Sequence, residues 1–303
     1  MKQQKEKIHS PGRGNPQYWY NIQADMVNKP MPPLHPGTKQ PLKAEDLYPI
    51  FAEELCRQEL NQTDAWIEIP EEVREMYKYY RSTPLVRAYG LEKALGTPAH
   101  IYFKNESVSP MGSHKLNSAI PQAYYCKQEG VTQRDPPRPV PTMGSFPGIC
   151  RPPFSGWKAA VYQVKISYEQ KPYRRSIMQT FGAQVTPSPS MSTRAGKDIL
   201  TAHPNYQGSL GTAISEAIEL AQTTPNCKYT LGSVLSHVAL HQTVIGLEAE
   251  KQMEMAGEYP DTVIACFGGG SNLAVSPSPS CATTSSKERK HALSPPNLLH
   301  VRS

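Results

Sequence analysis

The chain has 303 residues, and 30 of them are proline, about twice the usual share for soluble proteins. Its net charge of +6 comes from 32 basic and 26 acidic residues without a long basic run, so no nucleic-acid surface is predicted. The prolines are concentrated at 1–49, 131–160 and 275–303, and the sequence between these stretches has the patterning of a compact α/β protein. A disordered or fibrous chain is therefore excluded.

The cysteines and the apolar runs indicate where such a chain would reside. Six cysteines are scattered without the spacing of a metal site, which favours a reduced compartment and predicts no bound metal. The longest apolar strings, such as 263–267, are too short to span a bilayer. We therefore expect a cytoplasmic protein without a membrane segment.

The predicted elements begin after a proline-rich arm. Residues 1–64 are expected to form this extended arm, with the aromatic run at 18–20 packed on the protein's own surface. Helices are predicted over 71–80, 115–128, 171–181, 215–222 and 238–255, and strands over 100–104, 183–186 and 262–267. Alternating strands and helices favour a mainly parallel sheet. We thus expect an α/β core over 65–274 and an aberrant tail over 275–303.

A glycine-rich loop directly follows the predicted strand 262–267. Three glycines come first, then a serine and an asparagine: Gly268, Gly269, Gly270, Ser271 and Asn272. Such a loop exposes a row of backbone N–H groups that can hold a phosphate, although many glycine turns after strands are structural. The spacing fits neither the P-loop nor the dinucleotide-binding pattern.

A second motif lies at the start of the helix predicted over 115–128. Lys115 would sit in the first turn, where the helix dipole disfavours a cation, so it is either a surface lysine or a residue with a chemical role. The chemical role would be that of a Schiff-base lysine, whose pKa falls when the amine is desolvated near other cations. His114 could donate to a phosphate or be a structural histidine.

Together the two motifs resemble the tryptophan synthase beta chain family, whose members are fold type II enzymes that use pyridoxal phosphate. The first is Ser-x-x-Gly-Ser-His-Lys-x-Asn at 109–117, and the second is the loop at 268–272. Further runs resemble the longer second type of that chain and lie at 18–21, 81–85, 167–175, 231–233 and 241–243. The resemblance covers about 15–130 and 161–274.

The resemblance implies a fold of two three-layer αβα domains with mainly parallel sheets. It implies that Lys115 binds pyridoxal phosphate as a Schiff base and acts as the catalytic acid and base. The other cofactor-binding residues it implies are His114, Asn117, Gly268, Gly269, Gly270, Ser271 and Asn272. The implied reaction condenses L-serine with indole to L-tryptophan in a homodimer. Association with an alpha chain stays open, because the N-terminal arm is an extra segment that would alter or block that docking.

Two alternatives to this function remain. One is another fold type II lyase, such as a serine/threonine dehydratase or a threonine synthase, and the other is a non-catalytic remnant. The runs at 18–21 and 167–175 favour the tryptophan branch.

Two segments depart from the family. Residues 131–160 lack the Glu-Thr-Gly-Ala-Gly-Gln motif that supplies the family's catalytic acid and binds the substrate carboxylate. A shifted codon frame over 135–141 permits Ser-Thr-Glu-Thr-Gly-Ala, and a shifted frame from 274 permits a helix, a basic turn and a strand. We therefore expect 131–160 and 275–303 to be frameshifted, with a genuine proline-rich insertion as the alternative. A frameshifted chain would lack the family's C-terminal part, and its activity as translated is open.

Overall fold

The computed structural model describes residues 7–8, 15–130, 139–143 and 158–275, and they form two compact units. Of the described residues, the first unit comprises 7–8, 15–29, 62–114 and 239–275, and the second comprises 30–61, 115–130, 139–143 and 158–238. The predicted arm is therefore shared between the units, its first part in one and its second part in the other. The predicted boundaries at 64 and 274 stay a prediction.

The elements follow one another in a mixed α/β order. The strands are β1 (Lys7–Ile8), β2 (Tyr18–Tyr20), β3 (Trp66–Glu68), β4 (Leu85–Arg87), β5 (Tyr102–Lys104), β6 (Pro139–Met143), β7 (Lys158–Val164) and β8 (Gln184–Ser188). The helices are α1 (Ile22–Asp25), α2 (Ala44–Leu47), α3 (Glu53–Leu60), α4 (Glu71–Tyr77), α5 (Tyr89–Leu95), α6 (Leu116–Gln128), α7 (Lys165–Gln170), α8 (Pro172–Thr180), α9 (Arg194–Ala202), α10 (Leu210–Thr223) and α11 (Ser236–Ala256). Single 3₁₀ turns lie at Glu106–Val108 and Leu273–Val275.

The second unit is built on a parallel sheet of order β6-β7-β8. Successive residues of a strand point to opposite faces. Tyr162 of β7 accordingly packs with Ala213 and Ala217 of α10, while Val161 packs with Met178 of α8 on the other face. Both faces of β7 are thus buried, as is usual for parallel sheets in α/β proteins.

The described strands of the first unit pair in antiparallel fashion, as β1-β4-β5 and β2-β3. The predicted packing of the aromatic run is confirmed for Trp19 and Tyr20, which are buried, but not for Tyr18, which is 44% exposed. The Trp19 ring lies 4.5 Å from the ring of His241, and the backbone N–H of Tyr20 donates to Thr243 Oγ1 at 3.1 Å. Trp19 and Tyr20 are part of this unit's core.

Several predicted elements are confirmed within a few residues of their bounds. The C-terminus of α8 is one case, since Gly182 follows it with φ +81°, a left-handed conformation that glycine adopts without strain. Among the described residues, no helix combines the length and apolarity needed to cross a bilayer.

The strand predicted over 262–267 is wrong. These residues have no strand geometry, and Ile264 and Phe267 are 86% and 70% exposed. A buried parallel strand needs neighbouring strands to take up its backbone hydrogen bonds. None of the described strands pairs with this segment. An apolar pattern alone therefore did not make it a strand.

Candidate functional site

The loop over 105–113 delivers His114 and is fixed by its own hydrogen bonds. The Asn105 side chain accepts from the backbone N–H of Ser107 at 3.0 Å. Ser109 Oγ accepts from the backbone N–H of Ser113 at 3.0 Å and lies 2.8 Å from the Ser113 carbonyl, to which it donates. Gly112 has φ +63° within this turn. The backbone leading to His114 is therefore held in one conformation.

His114 meets the glycine-rich loop within the first unit. Its Nε2 lies 3.1 Å from Ser271 Oγ, and Ser271 is buried. The structure thus brings together one residue from each of the two sequence motifs, although they are 157 positions apart. Both groups can donate a hydrogen bond to an anion, depending on the imidazole tautomer.

The glycine-rich loop is closed by hydrogen bonds of its own. The carbonyl of Gly270 accepts from the backbone N–H of Ala274 at 2.9 Å, and Asn272 Oδ1 accepts from the backbone N–H of Cys266 at 3.2 Å. Gly270 has φ +90°, so a side chain there would be strained. A methyl group added at Gly268 would meet no atom within 4 Å, which leaves open space beside the loop.

Lys115 immediately precedes α6 and has a different partner, in the second unit. Its Nζ donates to the carbonyl oxygen of Gly232 at 2.8 Å, and the side chain is half-buried. Asn117, on the first turn of α6, is fully buried. The division between the units falls between His114 and Lys115.

The sequence did not point to Gln122, whose side chain lies beside the acceptor of Lys115. This side chain of α6 is fully buried, and its amide pairs with the peptide groups of Leu231, the residue before Gly232. Its signal in the sequence was the spacing of seven residues from Lys115, which places both residues on one helix face. Gly232 lies in the run 231–233, which resembles the family, but the sequence indicated no role for this glycine.

A buried ionic cluster stabilises the start of the loop over 105–113, also in the first unit. Arg81 binds Glu248 through Nε at 2.6 Å and Nη2 at 2.7 Å, and its Nη1 lies 3.2 Å from Glu106. Lys104 Nζ donates to Glu248 at 3.0 Å. Burial raises the pKa of Glu106, but the Arg81 charge and the hydrogen bonds from Thr83 and Arg81 outweigh it and hold that pKa below its ordinary value.

The donors in the first unit suit an anion such as phosphate. The imidazole of His114, the hydroxyl of Ser271 and the open backbone of the glycine loop are the donor types that phosphate sites use. Within the described part of the chain, no group of three or more His, Cys, Asp or Glu side chains is placed to hold a metal ion.

Curated relatives confirm the resemblance inferred from the motifs, and the chain belongs to the tryptophan synthase beta chain family. It is 52% identical to tryptophan synthase beta chain 2 of Thermotoga maritima over 258 residues, which are 85% of this chain and 61% of that protein. It is 51% identical to tryptophan synthase beta chain 2 of Methanosarcina mazei, over 85% of this chain and 58% of that one. The chain thus spans about three fifths of the length of these relatives. No protein-family model matches it.

A solved structure supports the fold class. The chain superposes on the threonine deaminase of T.th. with a TM-score of 0.50 and 19% identity, over 71% of this chain and 60% of that one. At this identity the likeness concerns the fold alone. The predicted α/β architecture of the fold type II enzymes is confirmed.

Proposed function

Because the chain is homologous to tryptophan synthase beta chains over 85% of its length, we propose that it is a pyridoxal-phosphate lyase of this type. The proposed reaction condenses L-serine with indole to L-tryptophan, and the proposed location is the cytoplasm. A homodimer is proposed from the resemblance alone. Association with an alpha chain stays open for this chain.

One observation carries the proposal: the contact between His114 Nε2 and Ser271 Oγ, at 3.1 Å. It joins the two motifs on which the resemblance rests. A glycine turn with only a structural role does not require an imidazole and a buried hydroxyl beside it. A phosphate site requires several convergent hydrogen-bond donors.

We propose that different residues bind the phosphate group and the aldehyde group of pyridoxal phosphate. His114, Ser271 and the backbone N–H groups of 268–270 would hold the phosphate group, with Asn272 closing the loop through Cys266. Lys115 would supply the amine that bonds to the cofactor aldehyde, and Asn117 completes the predicted set. These roles are proposals for this chain.

Pyridoxal phosphate, when bound, supplies an electron sink that withdraws negative charge from the α-carbon of an amino acid. Lys115 would take up and release the α-proton through Nζ. In the structure Nζ donates to the Gly232 carbonyl at 2.8 Å, an acceptor that holds the amine in one direction. A carbonyl accepts only, so it stabilises the amine as a donor and does not compete for its lone pair.

A non-catalytic remnant is the second candidate, and a specific observation favours it. The segment that leads into the glycine loop is not paired as a strand, and Phe267 is 70% exposed. The sequence of 131–160 also lacks the family's acidic motif. A loop without a strand behind it would bind phosphate weakly.

Absorbance after addition of pyridoxal phosphate separates these functions. The proposal predicts a new long-wavelength band that is lost in Lys115→Ala and kept in the control Lys127→Ala, since Lys127 is an exposed lysine of the same helix. Tryptophan formed from serine and indole supports the synthase. Pyruvate from serine alone indicates a dehydratase, and no band in the wild type indicates a remnant.

A further inference from the structure

Gln122 makes every hydrogen bond that its amide nitrogen can donate. Its Nε2 donates to the Leu231 carbonyl at 2.9 Å and to Ser118 Oγ at 2.8 Å, and its Oε1 accepts from the backbone N–H of Leu231 at 3.1 Å. The side chain therefore bonds both peptide groups of Leu231, as a neighbouring strand would. If the Gln122 amide were flipped, its Oε1 would face the Leu231 carbonyl and its Nε2 would face the Leu231 N–H. The hydrogen bonds therefore fix the orientation of the amide.

The same face of α6 carries Lys115, Ser118 and Gln122. Their spacing of three and then four residues places them above one another along the helix. Ser118 and Gln122 are fully buried, and Lys115 is half-buried. One end of this row contacts the carbonyl of Gly232, and the other end contacts Leu231, the residue before it.

We propose that Gln122 is a positioning residue for Lys115. Its paired hydrogen bonds hold the Leu231 peptide groups, and the next carbonyl, that of Gly232, then points at Lys115 Nζ. A glycine at 232 has no side chain to restrict its own backbone, so the direction of its carbonyl depends on such external bonds. Without Gln122 this acceptor would sample several directions and release the amine.

The position of Lys115 explains why its amine would require a fixed acceptor. The residue stands at the N-terminus of α6, where the helix dipole disfavours a cation. No acidic residue lies in the first turn of α6 to offset this repulsion. A correctly directed carbonyl therefore keeps the charged amine in one place.

The inference deepens the proposed function, because a fixed Lys115 matters only if that amine does chemistry. Its test therefore uses no cofactor. Reductive methylation with formaldehyde and cyanoborohydride measures how freely each lysine amine reacts, and peptide mass spectrometry gives the rate for Lys115 relative to Lys127. Lys127 is an exposed lysine of the same helix and serves as an internal reference.

The variant is Gln122→Met, which keeps the side-chain length and removes all three hydrogen bonds. The control is Gln58→Met, a buried glutamine of α3 that bonds to Tyr125 near the C-terminal end of α6. We expect Gln122→Met to raise the Lys115-to-Lys127 rate ratio about tenfold, as loss of the hydrogen bond to a charged amine would. Gln58→Met should leave the ratio unchanged, even where it lowers stability equally.

Gln122→Glu keeps the test decisive if Gln122→Met does not fold. It retains an acceptor for the Leu231 N–H but cannot donate to the Leu231 carbonyl, so an intermediate ratio is expected. An unchanged ratio in the folded Gln122 variants, or an equal rise in Gln58→Met, would overturn the proposal. Failure of pyridoxal phosphate to bind would instead reject the proposed function. The Lys115-to-Lys127 rate ratio would still decide whether Gln122 positions Lys115, because it is measured without the cofactor.

Discussion

Two adjacent residues, His114 and Lys115, have chemically different partners. His114 lies beside the hydroxyl of Ser271, a group that can donate or accept, whereas Lys115 lies beside a carbonyl, which only accepts. In the first arrangement Ser271 can accept a hydrogen bond from His114 and donate its hydroxyl proton to an added anion. The second uses the amine as a donor and fixes its position. Neighbouring positions in the chain can thus serve phosphate binding and amine chemistry separately.

Replacing His114 tests the phosphate role. His114→Ala should raise the dissociation constant for pyridoxal phosphate by about tenfold or more, because a hydrogen bond to a charged group is lost. Binding of pyridoxal, which has no phosphate, should change little. The matched control is His100→Ala, a more exposed histidine of the same unit that bonds to Glu258. Equal losses for both ligands would contradict the assignment.

Two glycines of the loop make a second matched pair. Gly270→Ala places a side chain at φ +90° and should lower the free energy of unfolding by about 1–2 kcal/mol. Gly268→Ala meets open space and should leave the stability nearly unchanged. Urea unfolding of both variants measures the difference. Equal effects would show that the loop does not hold this backbone conformation.

At the scale of residues, the sequence predicts candidate functional residues where a residue type is unusual for its position in a helix or loop. A lysine in a first helical turn and three consecutive glycines stand out without any structure. Gln122 does not, because a buried helical glutamine has no motif, and its partner Leu231 is 109 positions away. Only the fold brings the two together.

At the scale of elements, the long helix α11 begins at a carboxylate supplied by α3. Glu59 Oε2 accepts from the backbone N–H of His237 at 3.0 Å and from its Nδ1 at 2.8 Å. Burial raises the pKa of Glu59, but these hydrogen bonds outweigh it and lower that pKa below its ordinary value. A negative charge at a helix N-terminus is also favoured by the dipole.

This contact predicts an acid-sensitive stability. A carboxyl with a lowered pKa in the folded state stabilises the fold above its unfolded pKa of about 4.3 and loses that contribution as pH falls below it. Glu59→Gln should therefore unfold more easily at pH 7 and lose less stability than the wild type between about pH 5 and pH 3. Thermal unfolding across this range measures it, with the exposed Glu53→Gln as control. Parallel curves for wild type and Glu59→Gln would contradict the cap.

Helices were predicted better than strands, for a physical reason. A helix such as α6 makes most of its backbone hydrogen bonds within itself, so local signals such as the glycine after its C-terminus are sufficient to predict it. A strand such as 262–267 depends on partners elsewhere in the chain. Its apolar pattern predicted burial, but the described residues provide no adjoining strand.

At the scale of the whole molecule, four charged side chains of the first unit form a buried cluster. Arg81 and Glu248 have fully buried side chains, and Glu106 and Lys104 complete the cluster. Removing one member of such a cluster leaves an uncompensated charge in a nonpolar interior. Residues from three separate stretches of the sequence therefore depend on one another.

Arg81→Met should be among the most destabilising single changes in this unit. We expect a loss of about 3–5 kcal/mol in the free energy of unfolding, because Glu248 is left buried without its bidentate partner. Arg57→Met, which removes an exposed ion pair, should have no measurable effect. Chemical denaturation compares the two. Similar midpoints for both variants would contradict the importance of the cluster.

The expected frameshifts concern 131–160 and 275–303, which lie mainly outside the described residues. Composition indicated them because eleven prolines fall in these two stretches, each of which directly follows sequence with a regular helix or strand pattern. Resequencing of the gene should reveal a lost or gained base before each stretch. An intact frame through codons 131–160 and 275–303 would favour a genuine proline-rich insertion.

We propose that Lys115 is the lysine that bonds covalently to pyridoxal phosphate. Borohydride reduction of the protein with bound pyridoxal phosphate, followed by peptide mass spectrometry, tests it most directly. We expect one phosphopyridoxyl group on Lys115, in lower yield when excess inorganic phosphate competes with the cofactor. Modification spread over exposed lysines such as Lys127, with Lys115 unlabelled, would contradict it.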